Sequence, residues 1–98
     1  MKKHYYIEDI IAEHEKAGGK FFSPDAKRFF NSRIGKTTWT DGKWYFITSE
    51  KFDYKSPRLY SVRGWTPERP RNIEAVSEFQ AFKTRAQAIS FINKIIKE

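Results

Sequence analysis

The chain has no cysteine, which excludes a disulfide framework, a thiolate zinc site and a cysteine nucleophile. Histidine is nearly as scarce. His4 and His14 stand ten residues apart, with no HExxH and no paired-histidine spacing against carboxylates, so the sequence offers no metal site. His14 falls on the apolar face of a predicted helix and reads as a packed, hydrogen-bonded side chain. No run approaches the roughly 20 apolar residues of a membrane span, and the mean hydropathy is −0.76. Met1-Lys2-Lys3 is followed by polar and acidic residues where a signal peptide carries its apolar region. The expectation is a cytoplasmic protein without membrane contact. Phosphate loops, dinucleotide glycine patterns and nucleophile elbows are missing as well. Glu50 and Asp53 are the one pair of neighbouring acids in the basic region, and they read as loop solvation. The chain is therefore expected to be non-enzymatic, with no cofactor and no metal.

What the chain does have is aromatic and basic. Its 98 residues are 39% hydrophobic and 17% aromatic, core material that disordered segments lack. That length suits one modest domain, 1–98, with a single core. The net charge of +7 is unevenly spread. Residues 1–15 sum to −2, residues 72–98 to +1, and residues 16–71 hold 13 Lys and Arg against 5 acids, or +8. The same middle stretch holds 12 of the 17 aromatics. Cations interleaved with aromatics are what phosphate neutralisation plus base stacking requires. The other reading is an aromatic core under a solvated basic surface.

Ile7, Ile10, Ile11 and His14 repeat at helical spacing and predict a helix over 6–17, stopped by Gly18-Gly19. Ser23-Pro24-Asp25 reads as N-cap, first-turn proline and acid, opening a short helix over 24–32 with Ala26, Phe29 and Phe30 on one face. Asp41-Gly42 between two runs of strand formers predicts a two-residue hairpin. That register puts Trp39 opposite Trp44 and Thr38 opposite Tyr45. Trp39, Trp44 and Phe46 then share one face, with Ile34, Tyr45 and Ile47 on the other. Arg58–Arg63 predicts a third strand, with Tyr60 and Val62 on one side and Leu59 and Arg63 on the other. Ile73–Val76 reads as a fourth, edge strand. Thr84-Arg85-Ala86-Gln87 forms a capping box before the stripe Ala88, Phe91, Ile92, Ile95 and Ile96. The fold expected is α+β: an antiparallel three- to four-stranded sheet with an N-terminal, a short second and a C-terminal helix on one face.

Two basic groups are candidate binding residues. Lys27, Arg28, Arg33 and Lys36 lie on the short helix and its exit. Arg58, Arg63, Arg69 and Arg71 lie on the third strand and the following loop, around Trp65. Arginine there suits bidentate phosphate contacts. Trp65, beside Gly64 and close to Pro67, is expected to be partly exposed, and Trp39 and Trp44 are further stacking candidates.

The segments Phe21-Phe22-Ser23-Pro24-Asp25-Ala26-Lys27-Arg28-Phe29-Phe30-Asn31-Ser32-Arg33, Tyr45-Phe46-Ile47-Thr48-Ser49-Glu50, Arg58-Leu59-Tyr60-Ser61-Val62-Arg63 and Glu78-Phe79-Gln80-Ala81-Phe82, followed by Arg85 and Ala86, carry a resemblance. Together they resemble a family of small uncharacterised proteins encoded by bacteriophages, prophages and mobile elements. Lys27 stands where that pattern often has methionine, and Ile47 where it often has valine. The resemblance implies a phage-type origin and the cytoplasm of a bacterial host, and brings no activity or catalytic residue with it. The function expected from the residues themselves is nucleic-acid binding through the basic, aromatic middle. The alternative is docking on an acidic host or defence protein as an inhibitor or modulator, and a homodimer through an aromatic sheet face is the third reading.

Overall fold

In the computed structural model, residues 4–29, 31–51, 53 and 55–97 are described. Phe30, placed above on the apolar face of the short helix, lies outside them, as do the aromatics Phe52 and Tyr54. Helix α1 spans Ile7–Lys16. The Asp9 carboxylate accepts the Tyr6 N–H at 2.9 Å, which satisfies a donor ahead of the first turn. At its end, Gly18 N–H reaches Glu15 O and Gly19 N–H reaches His14 O, with Gly18 at φ +92. That pattern is a Schellman cap, whose left-handed residue favours glycine. Helix α2, Pro24–Phe29, is capped by Ser23 Oγ, which accepts the Ala26 N–H at 3.2 Å. It is shorter than expected, because the chain turns through Asn31 at φ +48.

Strands β1 (Arg33–Ile34), β2 (Trp39–Thr40), β3 (Trp44–Glu50), β4 (Leu59–Trp65) and β5 (Glu74–Ala75) form one antiparallel sheet. Its order is β1-β3-β4-β5, and β2 pairs with β3 beside β1. Helix α3, Arg85–Lys97, follows with Thr84 Oγ1 accepting the Gln87 N–H and Gln87 Oε1 accepting the Lys83 N–H.

The hairpin differs from the two-residue prediction. Trp39 pairs with Tyr45 and Thr40 with Trp44, so the loop holds three residues. Asp41 is the reason: its Oδ1 accepts the Lys43 N–H, an Asx turn that draws Lys43 into the loop, while Thr40 Oγ1 accepts the Gly42 N–H. One residue of slip exchanges the faces. Trp39 therefore lies with Tyr45, Ile47 and Val62, whereas Ile34 packs with Trp44, Phe46 and Trp65.

Both faces of the sheet are thus apolar, and each has its own helix. Ile7 and Ile10 of α1 with Phe22 cover Trp44, Phe46 and Trp65. Ala88 and Ile92 of α3 cover Tyr45, Ile47 and Val62. The α+β class and element order hold, but the helices flank the sheet on opposite sides where one shared face was expected. No helix among the described residues is long and apolar enough to cross a membrane.

His14 ties the α1 side together. Its Nε2 accepts the Phe21 N–H at 3.1 Å, which leaves the proton on Nδ1 to be donated to Pro70 O at 2.9 Å. The same carbonyl accepts the Trp65 indole N–H at 3.0 Å. The buried histidine is a structural clasp between α1 and the loop after β4.

Candidate functional site

On the α1 side, the alternation of β3 runs Trp44, Phe46, Thr48, Glu50, and that of β4 runs Trp65, Arg63, Ser61, Leu59. The face changes from apolar to polar halfway along. Glu50, its side chain only 3% exposed, and Arg63 form an ion pair at 3.9 Å from Oε2 to Nη2. Ser61 Oγ donates to Glu50 Oε1 at 3.1 Å, and Arg63 Nε donates to Thr48 Oγ1 at 3.4 Å. The Arg63 guanidinium carbon lies 5.4 Å from the Phe21 ring centre and 5.8 Å from that of Phe79. Both lie within cation–π range.

Gln80 braces this group. Its N–H donates to Ser61 Oγ at 2.7 Å and its side-chain amide to Glu50 O at 3.1 Å. It does so at φ +56, a conformation that costs a non-glycine residue about 1 kcal/mol or more. Beside the pair opens a cavity of about 190 Å³, lined by Glu50, Arg63, Thr48, Phe21 and Phe79, with Ala26, Lys27 and Ser32 contributed by α2 and its exit and Ile34 by β1. Phe79 is 47% exposed, an unusual level for a large apolar ring. Withdrawing two charges from water is costly, and a small domain is often as stable with apolar residues in their place. A buried acid–arginine pair with a cavity at its side, held by a strained residue, makes this the candidate site.

The expected binding residues divide around it. Arg63 is inside the pocket and Lys27 is at its rim. Arg28, Arg33 and Lys36 are exposed on α2, on β1 and just beyond β1. Arg28 lies 3.8 Å from Asp25 with both side chains in solvent, an attraction worth little. Arg58 is half-buried: its Nη1 donates to Asn31 O, Ser49 O and Ser49 Oγ at 3.0–3.2 Å. Burial, and then the charge of Arg33, hold its guanidinium below the usual value. It fastens the exit of α2 to β3.

Arg69 and Arg71 are exposed in the loop that follows β4. Arg71 borders a second depression, with His14, Lys20 and Ile73, that shares Phe21 with the first. Of the four arginines, Arg58 and Arg63 are thus half-buried and bonded within the fold, while Arg69 and Arg71 are exposed.

The tryptophans correct the stacking expectation. Trp65 is 1% exposed, because β4 continues through Gly64, which pairs with Tyr45, and carries the indole into the α1 core. Trp44 is buried beside it, and Trp39 is half-buried against the α3 cluster. Neither Trp65 nor Trp44 can receive a base. Among the described residues the large exposed aromatics are Tyr6 and Phe79, and the sequence marks neither as a stacking residue. Glu50, which the sequence suggests is a loop acid, ends β3 and is buried. Its signal was its place in the alternation Phe46, Thr48, Glu50 on the same face as Arg63.

Fold and pocket together define a small α+β domain with helices on both faces of an antiparallel sheet and a polar, aromatic-walled cavity under a basic edge. A family of unknown function, DUF7447, matches residues 6–93, and the chain belongs to that family. Comparison with curated proteins and with solved structures gives no match.

Proposed function

We propose that this chain is a non-enzymatic accessory protein that binds single-stranded nucleic acid along the edge formed by α2 and β1. The observation that carries the reading is the position of Phe79: an exposed ring against the Arg63 guanidinium, at the mouth of a cavity rimmed by Lys27. A base stacks on such a ring at about 1–3 kcal/mol irrespective of its identity. Lys27, Arg28, Arg33 and Lys36 are exposed close by in the chain and meet the phosphates. The phage-type origin implied by the motifs, and with it the cytoplasm of a bacterial host, fits a small protein that handles nucleic-acid intermediates. An unpaired strand suits the site better than a duplex, since stacking needs an accessible base face.

Fluorescence anisotropy with labelled single- and double-stranded oligonucleotides, DNA and RNA, at 50 mM salt tests this. The expected result is micromolar or tighter binding to a single strand, weakened several-fold by Phe79→Ala. No binding tighter than millimolar to any of them, together with a stoichiometric, nuclease-resistant protein partner from host lysate, would instead support the inhibitor of an acidic host or defence protein.

A further inference from the structure

The cavity beside Glu50 and Arg63 is more selective than a phosphate-binding surface requires. At 3.9 Å the carboxylate Oε2 and the guanidinium Nη2 attract each other but stand beyond hydrogen-bonding distance. An acceptor and a donor therefore lie side by side, ready for a planar edge that presents a donor next to an acceptor. Oε1 is held by Ser61, whose hydroxyl is in turn held by Gln80, so the carboxylate cannot turn away. The aromatic rings of Phe21 and Phe79 suit a flat ligand. A cavity of about 150 Å³ holds one benzene ring. At about 190 Å³ and partly open to solvent, this one matches a six-membered ring with its exocyclic atoms more closely than the fused rings of a purine, which carry the same edge.

We infer that this cavity takes one unpaired pyrimidine base. Glu50 accepts from its amino group or ring N–H, and Arg63 donates to the adjacent ring nitrogen or carbonyl. The inference rests on the nucleic-acid reading above and adds to it the class of base. Cytosine, with an amino group beside a ring nitrogen, and thymine or uracil, with a ring N–H beside a carbonyl, present the same donor–acceptor edge.

The test uses the full chain and single-stranded oligonucleotides of abasic sites that carry one central base: cytosine, thymine, adenine or guanine. These separate the base from the phosphates. The expected result is that a cytosine or a thymine raises affinity by five- to a hundredfold over the wholly abasic strand, and adenine or guanine by less than twofold. Which pyrimidine binds better identifies the edge preferred. Arg63→Lys, which keeps the charge but loses the planar fork, and Glu50→Gln are both expected to abolish the pyrimidine gain over the abasic strand measured on the same variant. Gln80→Gly, which relieves the strained backbone but drops the amide brace, is expected to reduce the base preference. Equal affinity for all four bases, or an Arg63→Lys protein that keeps the pyrimidine gain, overturns the inference and leaves nucleic-acid binding standing. Failure of every strand, abasic included, to bind overturns both. The wild-type comparison among bases decides the matter even where a variant fails to fold.

Discussion

Glu50 and Arg63 meet diagonally across β3 and β4, with the Thr48–Ser61 pair between their register positions and 3.9 Å between their charges. Removing one charge leaves the other in a largely dry site. Arg63→Met is expected to lower unfolding free energy by about 3 kcal/mol, because the Glu50 carboxylate loses its counter-charge where water barely reaches it. Adding Glu50→Leu to that variant is expected to restore most of the loss. Urea midpoints of the single and double variants measure this, and a double variant no more stable than the single one would show that the pair stabilises the native state outright.

Gly19 and His14 are equally constrained. A β-carbon at Gly19 would stand 2.1 Å from Cε1 of the His14 ring. The ring cannot retreat without giving up the Phe21 N–H or the Pro70 carbonyl. Gly19→Ala is therefore expected to cost about 1–3 kcal/mol and to shift the His14 ring resonances. Gly18→Ala meets no neighbouring atom and pays only for its positive φ, so it should cost less, about 1 kcal/mol.

The Tyr45 hydroxyl donates to Asp41 Oδ2 at 3.2 Å across the hairpin. Burial first, then the charge and hydrogen bond of Asp41, raise its pKa above the usual 10.0. The unfolded tyrosine loses its proton before the folded one does. Its contribution to stability is thus complete below about pH 10 and disappears as pH rises through the raised value. Chemical denaturation between pH 8 and 11 is expected to show a falling stability at the alkaline end, and Tyr45→Phe should flatten that fall.

The elements were legible because their signals are local. The Ser23 cap, the Gly18-Gly19 stop, the Thr84–Gln87 box and the β4 alternation all act within a few residues. The hairpin register was not, because Asp41 favours its Asx turn over the two-residue loop that Asp-Gly suggests. That slip decides which aromatics share a face, so the placement of Trp39 failed with it. The burial of Trp65 depends on Pro70 and His14, one five residues away and the other about fifty. The pocket itself draws Phe21, Glu50, Arg63 and Phe79 from four separate segments. Charge counting along the chain located Lys27, Arg28, Arg33 and Lys36 on the surface, but could not distinguish them from Arg58, which is occupied in holding the fold.

The central claim is that the α2–β1 edge meets the phosphates of a single strand. Its most direct test is the salt dependence of binding to an abasic single strand, measured for the wild-type chain and for the quadruple variant Lys27→Gln, Arg28→Gln, Arg33→Gln and Lys36→Gln. Four phosphate contacts at about 0.7 each predict a slope of log affinity against log salt near −3 for the wild type, reduced to near zero in the variant with the fold intact by circular dichroism. A slope unchanged by the four substitutions would contradict the account, because the phosphates would then be bound somewhere else on the protein.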